Sequence, residues 1–330
     1  SLLVNDINIK IVTGENYLDN LGEYDLIIKS PGISFKHIDY SAFKNRITSQ
    51  TDLFLKFLNK RIVGITGTKG KSTTATLIYD ILKQKYDARL VGNIGIPFFD
   101  NVDNISANTV FIAEFSANQL QFIDSSPRYS ILLNIYPEHL DHFVDFKEYQ
   151  LAKLNIFRYQ NAEDYSLINF DEMIDLPKEQ AKTNTIFITE KDIDKEDYAF
   201  IKNGNEFGFN YNHKKYQFLF QNTNETHFVN HFKYSILCAI SIAKLFNIED
   251  NIINDIVNSF KGLEHRLEFV GMFEGKKFYN DSICTIPEAA IKAIKTISDA
   301  QTIIIGGFDR GIEYTQLIEF IAKSQIQNIV

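Results

Sequence analysis

The sequence predicts an α/β protein in which parallel sheets are covered by helices. Three observations lead there. Short apolar runs rich in Ile, Val and Phe alternate with helical patterns along the chain. One of those runs passes through a glycine-rich loop into an amphipathic helix, and two further segments place aromatic-rich strands on either side of a two-residue turn.

Taken in order, the strand-like runs are residues 2–4, 26–28, 62–66, 110–113, 130–133, 185–188 and 302–305. Helical spacing follows at Ala75, Ile78 and Leu82, across residues 149–157 and across residues 251–260. Residues 207–220 flank Asn212-His213 and read as an antiparallel hairpin attached to the main sheet; residues 267–280 read as a second, turning at Glu274-Gly275. There is no internal repeat of solenoid period and no low-complexity tract. Boundaries fall near Leu58 and Gly262, which divides the chain into three α/β units: 1–58, 59–262 and 263–330. Both outer units read as incomplete, because a strand pattern already opens at residue 2 and the far end is equally abrupt.

Bulk properties narrow the function. The 330 residues suffice for two or three domains with a cleft between them. Their 42 acidic against 34 basic residues give a formal charge of -8, which disfavours a nucleic-acid surface and suits small polar substrates. No apolar run reaches the roughly 18 residues of a bilayer span, so no membrane partner is expected. The two cysteines, Cys238 and Cys284, make neither a disulfide framework nor a structural zinc site, and the expected compartment is a reducing cytoplasm.

The strongest chemical signal is Gly67-Thr68-Lys69-Gly70-Lys71-Ser72-Thr73, behind the buried-strand pattern 62–66 and ahead of a helix. Glycines allow backbone N–H groups to approach phosphate oxygens, the helix N-terminus adds positive potential, and Lys71 reaches the terminal phosphates. Ser72 or Thr73 offers a hydroxyl to Mg²⁺. The general phosphate-loop pattern has glycine five residues before its second glycine; here that position is Ile65.

Ligands of parallel sheets gather beyond the carboxyl ends of strands. Glu114 stands there, followed by Ser116-Ala117-Asn118-Gln119, and its carboxylate is a candidate Mg²⁺ ligand. After residues 130–133 come Glu138-His139-Leu140-Asp141-His142, two of only seven histidines around one aspartate, which points to metal or phosphate chemistry. Lys153, among Leu151, Ala152, Leu154 and Ile156, reads on its own as a side chain snorkelling to solvent. His265-Arg266, Asn280-Asp281-Ser282 and the stretch 306–311 each fit ordinary turn chemistry, although an arginine there also suits a carboxylate or phosphate.

In this order and spacing, the phosphate loop, Gly92-Asn93-Ile94-Gly95, Glu114, His139-Leu140-Asp141, Ala152-Lys153, His265-Arg266 and Asn280-Asp281-Ser282 resemble the Mur ligases of bacterial peptidoglycan synthesis. The resemblance covers essentially the whole chain. It implies a central P-loop ATPase domain, with a parallel sheet and a small antiparallel sheet, flanked by two incomplete Rossmann-like domains. It also implies ATP and two Mg²⁺ sites as cofactors, a cytoplasmic monomer, and a place in cell-wall synthesis and hence in cell shape and division. Ser30-Pro31-Gly32-Ile33 and Gly306-Gly307-Phe308-Asp309-Arg310-Gly311 resemble the member that adds D-glutamate to UDP-N-acetylmuramoyl-L-alanine through an acyl phosphate.

Roles follow from the same resemblance. Gly67, Thr68, Lys69, Gly70, Lys71, Ser72 and Thr73 would hold the phosphates with Arg266, and Asp281 would lie near the nucleotide. Ser72 and Glu114 would hold one metal. His139 would hold a second, beside Lys153, which in the family is carbamylated. Asn93, Ser116 and Gln119 would face the muramoyl substrate, Asp6 the uracil, and Thr285 and Arg310 the glutamate. Several positions depart from the family pattern: Ser116-Ala117-Asn118-Gln119 replaces Ser-Ser-Phe-Gln, Ile283 replaces a lysine, and the adenine-side His-Asn-x-x-Asn stands as His231-Phe232-Lys233-Tyr234-Ser235. Three alternatives therefore stay open: a ligase adding L-glutamate or another amino acid, a ligase acting on a folate, which the motif 30–33 disfavours, and a nucleotide-binding protein with impaired ligation.

Overall fold

The computed structural model describes residues 10–138, 141–172, 183–191, 193, 195–202, 205–220, 226–307 and 313–330, with the side chains of 226–231 outside the description. In chain order, β1 (Ile27–Ile28) pairs in parallel with β2 (Ile47–Thr48), and α1 (Gln50–Leu58) leads into β3 (Ile62–Thr66). The chain continues through α2 (Lys71–Leu82), β4 (Asp87–Gly92), β5 (Thr109–Glu114), α3 (Ala117–Leu120), β6 (Tyr129–Leu132), α4 (Phe146–Arg158), β7 (Tyr165–Asn169) and β8 (Asn184–Thr189). Three antiparallel strands follow, β9 (Tyr198–Lys202), β10 (Glu206–Tyr211) and β11 (Lys214–Leu219), and then helices α5 (Thr226–Leu245) and α6 (Asp250–Ser259). The last part holds the hairpin β12 (Glu268–Phe273) and β13 (Lys276–Asn280), then α7 (Pro287–Thr296), β14 (Thr302–Ile303), α8 (Thr315–Ala322) and β15 (Asn328–Ile329).

Strands β3 to β11 form one nine-stranded sheet in the order β11-β10-β9-β8-β7-β6-β3-β5-β4, parallel from β4 to β9. The antiparallel strands are continuous with the parallel sheet, as the reading of residues 207–220 expected, and do not form the small separate sheet that the resemblance implied. The reason lies in β9, which pairs in parallel with β8 and antiparallel with β10. β3, fully buried along its length, sits between β5 and β6, so the loop that follows it leaves the sheet flanked by both neighbours.

Apolar side chains cover both faces. Ile65, Ala75, Ile78, Leu82 and the α5 residues 236–243 form one core; Phe54, Leu55, Phe98, Phe111, Phe115, Leu154 and Phe157 form the other. Helix α1 therefore packs on the central sheet through Phe54 and Leu55. A smaller cluster around Ile27, Phe35 and Ile47 meets the central unit at Phe122, whose ring lies edge-on to Phe35 and Tyr40. Ile294, Leu317 and Ile321 form a separate cluster between α7 and α8.

Turn chemistry fixed both hairpins. Asn212 and His213 have φ of 49° and 62°, and Glu274 and Gly275 have 50° and 74°, the doubly left-handed turn that matches the twist of the flanking strands. At the sheet's β4 edge, Arg89 donates to the carbonyls of Asn101 and Asp103, which straps the segment after β4 along that strand. At the opposite edge, β11 exposes Lys214 and Lys215. Cys238 and Cys284 are free thiols, and no helix among the described residues is long and apolar enough to cross a membrane.

Candidate active site

β3 ends at Thr66, and the chain turns at once through Gly67, with φ 154°, and Gly70, with φ 87°. A side chain at Gly67 would press on Leu133 Cβ at 3.0 Å, so close approach to the end of β6 adds to the backbone requirement. Ile65 is fully buried in β3 and packs in the core, which explains why the position that carries glycine in the general motif tolerates a large apolar residue. Gly70 caps α2, and no side chain caps the helix there. The first backbone N–H groups of such a helix have no intrahelical partner and, with the helix dipole, favour an anion.

The loop is fastened from behind by Asn134. Its Oδ1 accepts from the backbone N–H of Thr68 (3.0 Å) and of Lys69 (2.8 Å), and its Nδ2 donates to the Lys69 carbonyl (3.0 Å). Thr68 Oγ1 accepts from the Tyr136 N–H (2.9 Å) and meets the buried Tyr149 hydroxyl at 3.0 Å. The amides of Thr68 and Lys69 are thus taken up by the scaffold, and those at the start of α2 face the anion position. Sequence reading had not singled out Asn134 or Tyr149.

Four basic side chains surround the loop. Lys71 Nζ donates to the Gly67 and Thr68 carbonyls at 2.9 and 3.0 Å. Lys153, 2% exposed, donates to the Gly67 carbonyl at 2.8 Å and lies over the Tyr149 ring. This corrects the snorkelling expectation: Lys153 stands on the face of α4 that also buries Tyr149, Ala152, Ile156 and Phe157, and the Gly67 carbonyl receives its Nζ. Arg266 Nη2 donates to Ser72 Oγ at 3.0 Å. Lys69 donates to Glu138 at 3.2 Å and to Thr285 Oγ1 at 2.5 Å. Burial pushes the Lys71 ammonium below its ordinary range, against the pull of Glu114 and Glu138. It pushes Lys153 well below, with Lys71 adding to the effect.

Glu114, 2% exposed at the end of β5, is the counter-charge. Asn93 Nδ2 donates to its Oε1 at 3.0 Å, whereas its buried Oε2 has no hydrogen-bond partner. A buried carboxylate oxygen left open in this way suits a hard cation, and Ser72 carries a neutral oxygen at the start of α2. Among the described residues no three His, Cys, Asp or Glu side chains gather as a metal cage. The remaining ligands would come from phosphate oxygens, as is usual for Mg²⁺.

The other expected residues divide. Ser116 and Gln119 form a capping box at α3, with the Ser116 N–H donating to Gln119 Oε1 at 2.8 Å and the Gln119 N–H to Ser116 Oγ at 3.3 Å. Asp281 accepts from the Leu267 N–H at 3.0 Å, and burial raises its carboxyl despite Arg266 nearby. Both Arg266 and Asp281 line a cavity of about 150 Å³ that begins at Lys69 and Gly70 and runs toward Tyr136, Phe232 and Ile286. Asp6, His139 and Arg310 lie outside the described residues, as does the side chain of His231.

Comparison with known proteins agrees with this geometry. Residues 65–249, more than half of the chain, match the Mur ligase middle domain. The chain is 33% identical over 333 residues, 96% of its own length and 68% of the relative's, to the UDP-N-acetylmuramoylalanine--D-glutamate ligase of Acetivibrio thermocellus. The chain belongs to the Mur ligase family. The enzyme of the same name from Clostridium botulinum strain Langeland is 31% identical over 330 residues, 97% of this chain and 69% of that one.

Solved Mur ligases share the fold. MurF ligase from Thermotoga maritima, in complex with ADP, superposes with a TM-score of 0.60 at 16% identity, over 84% of this chain and 70% of that one. MurC from Thermotoga maritima gives 0.56 at 15% identity, over 93% and 76%.

Proposed function

We propose that this Mur ligase joins D-glutamate to UDP-N-acetylmuramoyl-L-alanine with hydrolysis of ATP to ADP and phosphate, a step of peptidoglycan synthesis in the cytoplasm. The observation that carries the reading is the pairing of an uncapped α2 N-terminus, bearing Lys71, with the buried and half-partnered carboxylate of Glu114. The relatives that share the sequence over two thirds of their length support the choice of substrates.

Residues 59–262 would be the P-loop ATPase domain, residues 1–58 part of the domain for the UDP end, and residues 263–330 part of a Rossmann-like domain that closes the site. The nucleotide would lie in the cavity beside Arg266 and Asp281, with its phosphates on the N–H groups at the start of α2. Lys71 would then leave the loop carbonyls for the phosphates. Glu114 and Ser72 would hold one Mg²⁺, which offsets phosphate charge when bound; His139 would belong to a second site. Lys153, whose pKa burial lowers well below the ordinary lysine value, fits the carbamate that the family resemblance implies. Asn93, Ser116 and Gln119 would line the muramoyl side, Asp6 the uracil side, and Thr285 and Arg310 the glutamate side.

In the reaction an oxygen of the alanyl carboxylate attacks the γ-phosphorus, and the bond to the β-phosphate oxygen breaks. Lys71 and the α2 amides stabilise charge on the phosphoryl group in flight. The glutamate amine then attacks the acyl phosphate, loses a proton and displaces inorganic phosphate. Closure of residues 263–330 over the loop excludes water, which would otherwise hydrolyse the intermediate.

A second reading, nucleotide binding with impaired ligation, rests on Phe232, buried edge-on against Phe260, and Ser235, whose Oγ accepts from Thr74. Neither offers the nucleobase what an asparagine would. A phosphate-release assay with ATP, Mg²⁺, UDP-N-acetylmuramoyl-L-alanine and each glutamate enantiomer separates the readings. Release with D-glutamate alone supports the ligase, and binding of ATP without release under any condition supports the alternative.

A further inference from the structure

The two lysines of the phosphate loop take different partners. Lys71 folds over the loop carbonyls. Lys69, whose backbone is already held at both N–H and C=O by Asn134, reaches with its ammonium to the segment that follows β13.

There it completes a closed ring of three hydrogen bonds. Lys69 Nζ donates to Thr285 Oγ1 at 2.5 Å and to Glu138 Oε1 at 3.2 Å, and Thr285 Oγ1 donates its own proton to the same Glu138 oxygen at 2.9 Å. Donors and acceptors match around the ring: the ammonium only donates, the carboxylate only accepts, and the hydroxyl does one of each. The three residues are half-buried or better, with Lys69 and Glu138 side chains 24% and 12% exposed, so the charged bonds are partly sheltered from water. The ring spans three distant pieces of chain: the loop, the segment after β6, and a residue 216 positions beyond Lys69.

We propose that Lys69 is a positioning residue rather than a phosphate ligand: it is the strut that seats residues 281–286 over the phosphate loop and so sets the amino-acid end of the site. The proposal rests on the ligase reading for its kinetic consequence, but not for its structural one. A lysine bound to phosphate would govern nucleotide affinity. A strut governs the placement of Thr285 and leaves the anion site at α2 intact.

The test uses the whole chain with Lys69→Met, Thr285→Val and the double variant. Amide exchange of residues 281–286 is measured without substrates, the affinity for a non-hydrolysable ATP analogue with Mg²⁺ by calorimetry, and KM for D-glutamate by phosphate release. For Lys69→Met the proposal expects faster exchange in 281–286 and KM for D-glutamate raised about tenfold, the loss of a charged hydrogen bond, with nucleotide affinity, whose cavity Lys69 also lines, lowered by less than that. Thr285→Val, which leaves the loop sequence untouched, should reproduce the faster exchange should Lys69→Met fold poorly, and the double variant should be no worse than the poorer single one. Unchanged exchange in 281–286, additive effects, or a nucleotide affinity lowered about tenfold with KM for D-glutamate unchanged would each overturn it. If the parent releases no phosphate yet exchange quickens in both single variants, the ligase reading falls and the strut stands.

Discussion

Lys153 Nζ donates to the Gly67 carbonyl at 2.8 Å, which ties α4 to the first residue of the phosphate loop across 86 positions of sequence. The bond is buried, and the same Nζ lies over the ring of Tyr149, whose hydroxyl meets Thr68. Loop shape therefore depends on a helix laid down well after it.

Replacing Lys153 with methionine keeps the apolar stem and removes this bond together with the reactive amine. Ligase turnover should fall by about 100-fold or more, the scale seen when a residue at the reacting centre is lost. The fold should persist, as circular dichroism would report. Turnover within about twofold of the parent would remove Lys153 from the chemistry.

Asn134→Ala deletes three hydrogen bonds to the loop and leaves the Lys69 N–H and C=O to find other partners, while the Thr68 N–H keeps its bond to the carbonyl of residue 134. A loss of about 1–3 kcal/mol in urea unfolding is expected, with weaker nucleotide binding by calorimetry. Asn134→Asp should be milder in stability, since a carboxylate still accepts both N–H groups. It should be the worse of the two for nucleotide affinity, because it adds negative charge beside the phosphates.

Gly64 lies inside β3, and a Cβ there would sit 2.5 Å from Pro127 Cγ and 2.9 Å from Phe115 Cε2. Neither ring can step aside in so packed a core, so Gly64→Ala should lower stability by about 1–3 kcal/mol. Gly306→Ala, where the added atom meets nothing within 4 Å, is the control. Equal urea midpoints for the two variants would contradict the packing described for β3.

Lys29 is buried with its ammonium over the Phe35 and Phe122 rings. Burial lowers its pKa from 10.5 to about 8, with Glu148 pulling the other way. The unfolded chain thus holds the proton more tightly, and the cost of burying the charge is fully present below about pH 8 and relieved as pH rises toward 10.5. Wild type should therefore gain stability relative to Lys29→Met between those limits. A flat difference in unfolding midpoint across that range would refute the burial argument.

Much of this site is legible locally. Residues 62–72 announce a strand, a glycine turn and a helix, and the two left-handed turns are written in Asn212-His213 and Glu274-Gly275. β4, by contrast, reads Asp87-Ala88-Arg89-Leu90-Val91-Gly92, too polar for a buried-strand pattern because it is an edge strand, with Asp87 exposed and Arg89 turned to the covering segment. Asn134 carries no signal at all, since its role depends on β3 and β6 lying side by side. The same holds for Glu138 and Thr285, which meet only after 147 positions of chain have folded. The inward turn of Lys153 was accessible only through family resemblance, because helical spacing does not tell a buried ammonium from a solvated one.

The two borders of the sheet are dealt with differently. Arg89 pins a covering segment along β4, and Lys214 and Lys215 place positive charge on β11. A foreign strand that sought to add to either side would have to displace a strap or approach repelling ammonium groups. A broad sheet with a rigid loop at its centre is thereby kept from growing into aggregates, so that its exposed backbone does not become a template for neighbouring copies.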